Sequence, residues 1–293
     1  MLTPFFSIII PTYNRSHLIK RAIDSVLSQD FRNYELIVVD DGSTDDTHAV
    51  IEENYGQKIK YTYQENKGVC AARNHGAKLA RGKFLIFLDS DDWLTIECLV
   101  QYENYLLKES YKLVLGKVDV FNNSLQKLHE IIPRNHGTYY RQGLTGSFAI
   151  AKNVFIKIGG YDEKLNYSEN SDLFLRIRLG TEINMDDITT TKIAGVCIVK
   201  ENGEVRKSRY NLKKYQSIKY FLNKHKVFFK ESKKDFINFQ SVLAFSAFQI
   251  NKYKEARMAL LKIIFRYPLS VKTYFQYILF LLPLLASKFY ARS

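Results

Sequence analysis

Short apolar runs alternate with amphipathic segments through the first 90 residues of the chain. Three of these runs are typical of buried strands, Phe5–Ile10, Glu35–Val39 and Phe84–Phe87, and Ile59–Tyr63 alternates like a further strand. Between them apolar residues recur at helical spacing, and Ser16 is expected to cap the first helix. This alternation predicts right-handed βαβ units, and therefore an α/β fold with a mostly parallel central sheet flanked by helices.

Polar clusters directly follow three of these predicted strands, at residues 11–15, 40–43 and 89–92. In a parallel sheet, ligands bind beyond the carboxyl ends of the strands. The three clusters are therefore expected to converge on one edge of the sheet and to form a single ligand site.

The segment Leu88–Trp93 places Asp89, Asp91 and Asp92 where an apolar strand ends. Crowded carboxylates repel one another unless a cation neutralises them. Oxygen ligands on a short turn suit Mg²⁺ or Mn²⁺, which proteins commonly bind together with substrate phosphates. The alternative interpretation is that these residues begin a helix over Thr95–Lys108.

Two other segments carry residues suited to a nucleotide. Asp40 and Asp41 precede Gly42, and carboxylates at a strand end commonly accept hydrogen bonds from a base or ribose. The alternative is a simple turn, which Asp-Gly favours. Arg73 follows Gly68 in a small-residue helix, where it is either a planar fork for phosphate oxygens or a surface residue.

The segment Glu169–Arg176 offers a candidate general base. Glu169, Asp172 and Arg176 fall on one face of a predicted helix, and a carboxylate at a helix N-terminus can take the proton of an attacking hydroxyl. The alternative is a helix cap with an Asp172–Arg176 ion pair. The two interpretations are compatible if different residues serve them.

Basic residues are concentrated at the end of the chain. The net charge of the 293 residues is +13, yet residues 206–293 hold 19 Lys and Arg against 3 Asp and Glu. The aromatic and aliphatic content of this helical segment favours contact with an anionic membrane over contact with nucleic acid. A core helix or a homodimer contact is the alternative. Three widely spaced cysteines indicate a reducing compartment, such as the cytoplasm.

Taken in order, these clusters resemble the family 2 glycosyltransferases of bacteria, which have a nucleotide-binding fold of the GT-A type. The matching segments are SIIIPTYNR (Ser7–Arg15), LIVVDDGSTDDT (Leu36–Thr47), ENKGVCAARNHG (Glu65–Gly76), FLIFLDSDDW (Phe84–Trp93), GSFAIAKNVFIKIGGYDE (Gly146–Glu163) and SENSDLFLRI (Ser168–Ile177). The resemblance implies a catalytic domain over residues 1–205, followed by a basic helical region over residues 206–293.

The resemblance also implies roles for individual residues. Those that would bind the nucleotide sugar are Pro11, Thr12, Tyr13, Arg15, Asp40, Asp41, Lys67, Gly68, Arg73, Asp89, Ser90 and Asp91. Within this set, Asp89 and Asp91 resemble the metal-binding DxD pair, with Mn²⁺ or Mg²⁺ as the cofactor. The segment that resembles the wall of the acceptor site contains Gly146, Ser147 and Phe148.

One departure from the family pattern concerns the catalytic base. The usual Glu-Asp pair reads Glu169-Asn170 here, and an amide cannot take a proton from the acceptor. The base is therefore expected to be Glu169 or, failing that, Asp172. The alternative is that Asn170 only orients the acceptor and that turnover is slow.

The function implied by the resemblance is inverting transfer of a sugar from a nucleotide-sugar donor, with a UDP-sugar favoured. The acceptor would be a hydroxyl of a glycan or of a polyprenyl-linked sugar in cell-surface polysaccharide synthesis. The protein is expected in the cytoplasm, with peripheral contact at the inner face of the membrane. The alternative is a non-catalytic scaffold or sensor that binds nucleotide sugars within a glycan assembly complex.

Overall fold

A computed structural model describes residues 3–108, 111–133, 146–180, 183, 185–199, 207–268 and 271–281. The chain divides into two compact units. The first, here called the sheet unit, comprises residues 1–163 and 169–202. The second, here called the helical unit, comprises residues 164–168 and 203–293.

The strands of the sheet unit form one sheet. In chain order they are β1 (Phe6–Thr12), β2 (Tyr34–Asp40), β3 (Lys60–Tyr63), β4 (Phe84–Phe87), β5 (Trp93–Leu94), β6 (Leu113–Phe121), β7 (Lys127–Ile131), β8 (Phe148–Ala151) and β9 (Ile188–Val199). Their spatial order is β3-β2-β1-β4-β8-β6-β9-β5, and β7 pairs with β6. The first four run parallel, as the alternating pattern predicted, whereas β8 runs antiparallel to β4 and β6.

Helices follow the strands as the βαβ pattern predicted. They are α1 (Ile19–Leu27), α2 (Thr47–Tyr55), α3 (Val69–Leu79), α4 (Cys98–Lys108), α5 (Lys152–Lys157) and α6 (Glu169–Leu179). Helix α3 packs closely on the sheet because Gly76 has no side chain: a Cβ there would overlap the side chain of Ile9. This close approach fixes the position of the residues that α3 carries toward the strand ends.

The predicted cap of the first helix is wrong. The backbone N–H of Ser16 donates to Oδ2 of Asp45 at 3.2 Å, and the helix begins three residues later, at Ile19. The residue before it, Leu18, makes no side-chain cap. Ser16 therefore lies in the turn that precedes the helix and contacts the loop after β2.

One other predicted element boundary also differs from the structure. The helix expected from Thr95 begins at Cys98, because Trp93 and Leu94 pair with β9. A two-residue strand has too little periodicity to be recognised from the sequence.

The helical unit contains α7 (Lys207–Lys224), α8 (Lys226–Glu231), α9 (Lys233–Gln249), α10 (Tyr253–Arg266) and α11 (Val271–Leu281). The helical prediction for this region is thus confirmed wherever the structure describes it. Helices α7, α9, α10 and α11 share one core, within which the rings of Phe248 and Phe280 stack at 4.3 Å. Among the described residues, no helix has both the length and the apolar character needed to cross a membrane.

Two features of the sequence fall largely outside the described residues. One is the polar loop over Pro133–Gly146, of which only the two end residues are described. The other is the C-terminal part of the apolar segment Tyr274–Ala286, since the description of α11 ends at Leu281.

Candidate functional site at the carboxyl edge of the sheet

The polar clusters that follow β1, β2 and β4 lie on one edge of the sheet, as their spacing predicted. In the register of β1 and β2, the last residues of the two strands, Thr12 and Asp40, are partners. The next backbone N–H, that of Asp41, donates to the carbonyl of Thr12 at 2.8 Å. On the other side of β1, the N–H of Leu88 donates to the carbonyl of Ile9 at 2.9 Å.

The loop after β1 is held against the loop after β2 by hydrogen bonds. Asn14 adopts a left-handed conformation with φ of 52°, and its backbone N–H donates to Oγ of Ser43 at 2.9 Å. The N–H of Arg15 donates to Oγ1 of Thr47 at 3.0 Å. These contacts leave Tyr13 exposed and Pro11 buried, so the predicted nucleotide loop presents only some of its side chains to a ligand.

Asp40 and Asp41 both hold the protein backbone in place. Asp40 accepts hydrogen bonds from the N–H of Ser43 at 2.7 Å and from the Tyr61 hydroxyl at 2.9 Å. Burial and this contact raise the pKa of Tyr61 above its usual range. The turn that Asp-Gly predicted is therefore present, and Asp40 is almost completely buried.

The carboxylate of Asp41 fixes the start of α3. It accepts hydrogen bonds from the backbone N–H groups of Lys67 and Gly68, at 2.9 and 2.8 Å, and from the Gln64 amide at 2.7 Å. Gly68 itself has φ of 93°, a conformation that a residue with a side chain rarely adopts. Only 4% of Asp41 is exposed, so little of its surface remains for contact with a nucleotide base.

Arg73 is the centre of the site. Its side chain is 2% exposed, and its Nη2 contacts Oδ1 of Asp89 at 2.6 Å. Its Nη1 lies 3.4 Å from Oε1 of Glu169, the first residue of α6. Burial opposes the charge of Arg73, but the carboxylates raise the pKa of its guanidinium above the usual range. Arg73 thus joins a strand-end carboxylate to the candidate base.

The ring of Tyr161 packs against Arg73, and its hydroxyl contacts Asn170. The guanidinium of Arg73 lies 5.1 Å from the centre of the Tyr161 ring, and the Tyr161 hydroxyl donates to Oδ1 of Asn170 at 2.9 Å. Asn74 accepts a hydrogen bond from the Tyr161 N–H and donates to its carbonyl, both at 2.9 Å. Asn170 is therefore oriented by a buried aromatic residue that the sequence did not single out.

Asp172 forms the ion pair with Arg176 that was the alternative to a role as base. It has no exposed surface, and its Oδ2 accepts a hydrogen bond from Nε of Arg176 at 2.7 Å. Arg176 also donates to the carbonyls of Ile158 and Gly160. The predicted i,i+4 ion pair is thus present, and this geometry does not support Asp172 as a base.

The residues expected to line the acceptor site lie in the core. Ser147 and Phe148 have no exposed surface, and every residue of β8, which begins at Phe148, is buried. Gly146 has φ of 81°, and a Cβ there would lie 2.7 Å from Cγ2 of Val196. In this conformation the side chains of Ser147 and Phe148 cannot touch an acceptor, and the acceptor-site prediction is not supported.

The three aspartates after β4 differ in their surroundings. Asp91 has a side chain 43% exposed, and its Oδ2 lies 3.9 Å from Nη2 of Arg15. Ser90, which lies between Asp89 and Asp91 in the sequence, is buried. Burial, together with the nearby carboxylates of Asp89 and Asp91, raises the pKa of Asp92 well above its usual range. A cation at this turn would relieve the repulsion.

The carboxylates of Asp89 and Asp91 fit a divalent metal that a substrate helps to bind. Within the described residues, no group of three or more His, Cys, Asp or Glu is arranged to hold a metal ion without other ligands. Mg²⁺ and Mn²⁺ are commonly bound by one or two carboxylates together with substrate phosphates. Asp89 and Asp91 are the two residues that would supply those carboxylates.

A small cavity lies beside Asp91 and was not foreseen from the sequence. It measures about 210 Å³ and is lined by Leu18, Arg21, Asp91, Asn123, Leu125 and Val199. Arg21 stacks 4.5 Å from the centre of the Trp93 ring and donates a hydrogen bond to the carbonyl of Asp91. The contacts of Arg21 could not be predicted from the sequence, because a basic residue on an amphipathic helix is ordinarily exposed.

Comparisons with known proteins identify the family of the chain. Residues 7–161, more than half of the chain, match the family described as Glycosyl transferase family 2. The chain is 35% identical over 202 residues to an uncharacterized glycosyltransferase, RP339, of Rickettsia prowazekii, covering 63% of this chain and 62% of that protein. The chain thus spans less than two thirds of the length of this relative.

A relative with a more specific name is WfgD of Escherichia coli, a UDP-Glc:alpha-D-GlcNAc-diphosphoundecaprenol beta-1,3-glucosyltransferase. It is 40% identical over 120 residues, covering 40% of this chain and 47% of that protein. Among solved structures, S. aureus TarS in complex with UDP-GlcNAc has a TM-score of 0.58 at 20% identity, covering 88% of this chain and 80% of that one. The fold is therefore of the GT-A type, and the chain belongs to glycosyl transferase family 2.

Proposed function

We propose that this chain is an inverting, metal-assisted glycosyltransferase that uses a UDP-sugar. The observation that carries the proposal is the double contact of buried Arg73, which reaches Asp89 at 2.6 Å and Glu169 at 3.4 Å. A donor-side carboxylate and a candidate base are thereby held in one cluster beside the carboxyl ends of the strands. A single displacement at a sugar carbon needs a base for the attacking hydroxyl and a site for the departing diphosphate, and this cluster contains candidate groups for both.

The donor side of the reaction is assigned to the edge formed by β1, β2 and β4. The names of two similar proteins favour a uridine nucleotide, since WfgD is named for UDP-Glc and TarS was solved with UDP-GlcNAc. Transfer of a hexosyl or N-acetylhexosaminyl group is consistent with these names. Tyr13 and Arg15 are the residues of the β1 loop with surface available for a nucleotide.

Asp91 is the residue proposed to hold Mn²⁺ or Mg²⁺, together with Asp89. Of the two carboxylates, Asp91 is the more exposed, and its partner Arg15 lies at the long distance of 3.9 Å. When bound, a divalent cation would neutralise the charge that develops on the departing diphosphate. Arg73 would keep the Asp89 carboxylate in place for the metal.

Glu169 is proposed as the general base. It takes the proton of the acceptor hydroxyl while the hydroxyl oxygen forms a bond to the anomeric carbon. The bond between that carbon and the diphosphate oxygen breaks on the opposite side, and UDP leaves with the electron pair, so the configuration inverts. The contact with Arg73 holds Glu169 in the cluster, and Asn170, held by Tyr161, would orient the acceptor.

A lipid-linked sugar is the acceptor class that the similarity to WfgD favours, because the printed name of WfgD contains a diphosphoundecaprenol acceptor. A polyprenyl-linked acceptor would place the reaction in the synthesis of a cell-surface glycan. The acceptor hydroxyl would approach Glu169 at the N-terminus of α6.

Calorimetric titration with nucleotides tests the proposal. UDP is added to the full chain in the presence of Mn²⁺, and the titration is repeated with a chelator; GDP and dTDP serve as matched controls. We expect binding of UDP that is lost when the metal is removed, and weaker binding of the other two nucleotides. If none of the three nucleotides binds with Mn²⁺ present, the proposed transfer is wrong.

A further inference from the structure

The helical unit exposes apolar side chains on the side of α10 that faces away from its core. Ala256, Leu260 and Ile263 are buried in the core that α10 shares with α7, α9 and α11. At 3.6 residues per turn, Met258 and Phe265 fall on the opposite side of α10. Met258 is 50% exposed and Phe265 is 83% exposed. The apolar character of α10 is therefore not confined to its core-facing side.

Helix α11 repeats this arrangement. Its Phe280 is buried against Phe248 in the same core, while Ile278 and Leu281 are 59% and 47% exposed. A helix that is apolar on all sides is ordinarily buried on all sides. Together, the exposed side chains Lys254, Met258, Lys262, Phe265, Ile278 and Leu281 are here called the outer face.

Charge indicates what covers the outer face. Lys254 and Lys262 are exposed on the same side of α10 as Met258 and Phe265. They belong to a region, residues 206–293, with 19 basic residues against 3 acidic ones. A second copy of the chain would bring the same excess of positive charge to the contact, and like charges oppose association. An anionic surface with an apolar interior meets both requirements of the outer face.

We propose that the outer face of α10 and α11 binds the surface of an anionic phospholipid membrane. Phe265, Met258 and Ile278 would enter the boundary between headgroups and acyl chains. Lys254 and Lys262 would extend their apolar stems along this boundary and place their ammonium groups beside lipid phosphates. This inference does not depend on the proposed transfer reaction, because its residues and its measurement are separate from those of the nucleotide site.

Sedimentation with lipid vesicles tests the inference. The full chain is mixed with vesicles of phosphatidylcholine alone or with phosphatidylglycerol added, at low and at high salt. We expect binding to the anionic vesicles that salt weakens. The variant Phe265→Ser/Ile278→Ser should lower the partition coefficient by about tenfold or more, because each side chain loses its burial in the membrane. The variant Lys254→Gln/Lys262→Gln should lower it about fivefold for each charge removed.

The control is Leu107→Ser/Ile156→Ser, which removes two apolar side chains of the sheet unit that are 58% and 57% exposed. This variant should bind vesicles as the unaltered chain does. Circular dichroism of each variant shows whether it remains folded. The inference is overturned if the unaltered chain does not bind anionic vesicles, or if the control loses binding as strongly as Phe265→Ser/Ile278→Ser. It is also overturned if the outer face forms a dimer that Phe265→Ser abolishes. Calorimetry with UDP on the same samples reports separately on the nucleotide site.

Discussion

The carboxyl edge of the sheet unit and the outer face of the helical unit depart from ordinary burial in opposite ways. At the edge, charged side chains are buried and contact one another, with Arg73 only 2% exposed. On the outer face, apolar side chains are exposed, with Phe265 at 83%. Proteins usually bury apolar residues and expose charged ones. The first departure is balanced inside the molecule by ion pairs, whereas the second is the basis of the proposed contact with a membrane.

The largest effect that would separate the two regions is expected from Asp91→Asn. Loss of this carboxylate should remove metal-dependent binding of UDP and abolish transfer, because an amide lacks the negative charge that a hard cation requires. Calorimetry with Mn²⁺ and an assay of sugar transfer are the measurements. The matched variant Phe265→Ser/Ile278→Ser should bind UDP normally. Near wild-type turnover of Asp91→Asn would show that the metal is held elsewhere.

Glu169→Gln should produce the next largest effect. Loss of general-base help typically slows turnover by about 10²–10⁴-fold. Binding of UDP should stay unchanged, because the amide keeps the size of the side chain and the donor site is formed by the strand ends. Steady-state kinetics and calorimetry measure the two quantities. Glu255→Gln, in the helical unit, is the control and should leave turnover unaffected; full activity of Glu169→Gln would move the base to another residue.

Arg73→Met sharpens the comparison in terms of stability. Removing one partner of a buried ion pair costs 3–5 kcal/mol, and about 3 kcal/mol is expected here because Asp89 and Glu169 keep some contact with solvent. Trp93, the only tryptophan of the chain, reports unfolding of the sheet unit by fluorescence in urea.

The control for Arg73→Met is Lys219→Met, which breaks the exposed pair of Lys219 with Glu255 in the helical unit. Exposed pairs contribute about 0–1 kcal/mol, so circular dichroism should detect little change in the unfolding of this variant. An equal loss of stability in both variants would mean that burial does not distinguish the two ion pairs.

The smallest expected effect concerns acid. Burial alone would raise the pKa of Glu35, but hydrogen bonds from Ser7 and Arg81 lower it below its usual value of 4.5. A lowered pKa stabilises the folded state above that value, and the stabilisation is lost as the pH falls below it. Glu35→Gln should therefore cost about 1 kcal/mol at neutral pH and less in acid. Urea unfolding followed by Trp93 fluorescence, at neutral pH and at a pH below 4.5, tests this prediction. An equal loss of unfolding free energy at the two pH values would contradict it.

The strands and the polar clusters at their ends were predictable because both follow from local pattern. Parallel pairing of β1, β2 and β4 then made the convergence of the clusters a consequence of topology. The partners of Arg73 were not predictable, since Asp89 is 16 residues away and Glu169 is 96 residues away. No periodicity connects residues at such separations.

The expected role of Ser147 and Phe148 at the acceptor site is not supported, for a related reason. An apolar strand can line a site or fill a core, and what packs on its two faces decides between the two. Here every residue of β8 is buried, so both faces of the strand are covered. The sequence contains the strand but does not show what packs against it.

The contacts of Arg73 also limit how this chain can be recombined with its relatives. Exchanging segments between enzymes is a common route to a new donor or acceptor preference. Through Arg73 and Asn74, the segment of residues 65–76 is tied here to the segment that contains Tyr161 and Glu169. A crossover point placed between these two segments would combine halves selected in different proteins, so hybrids that keep both segments from one parent should fold more often than hybrids that divide them.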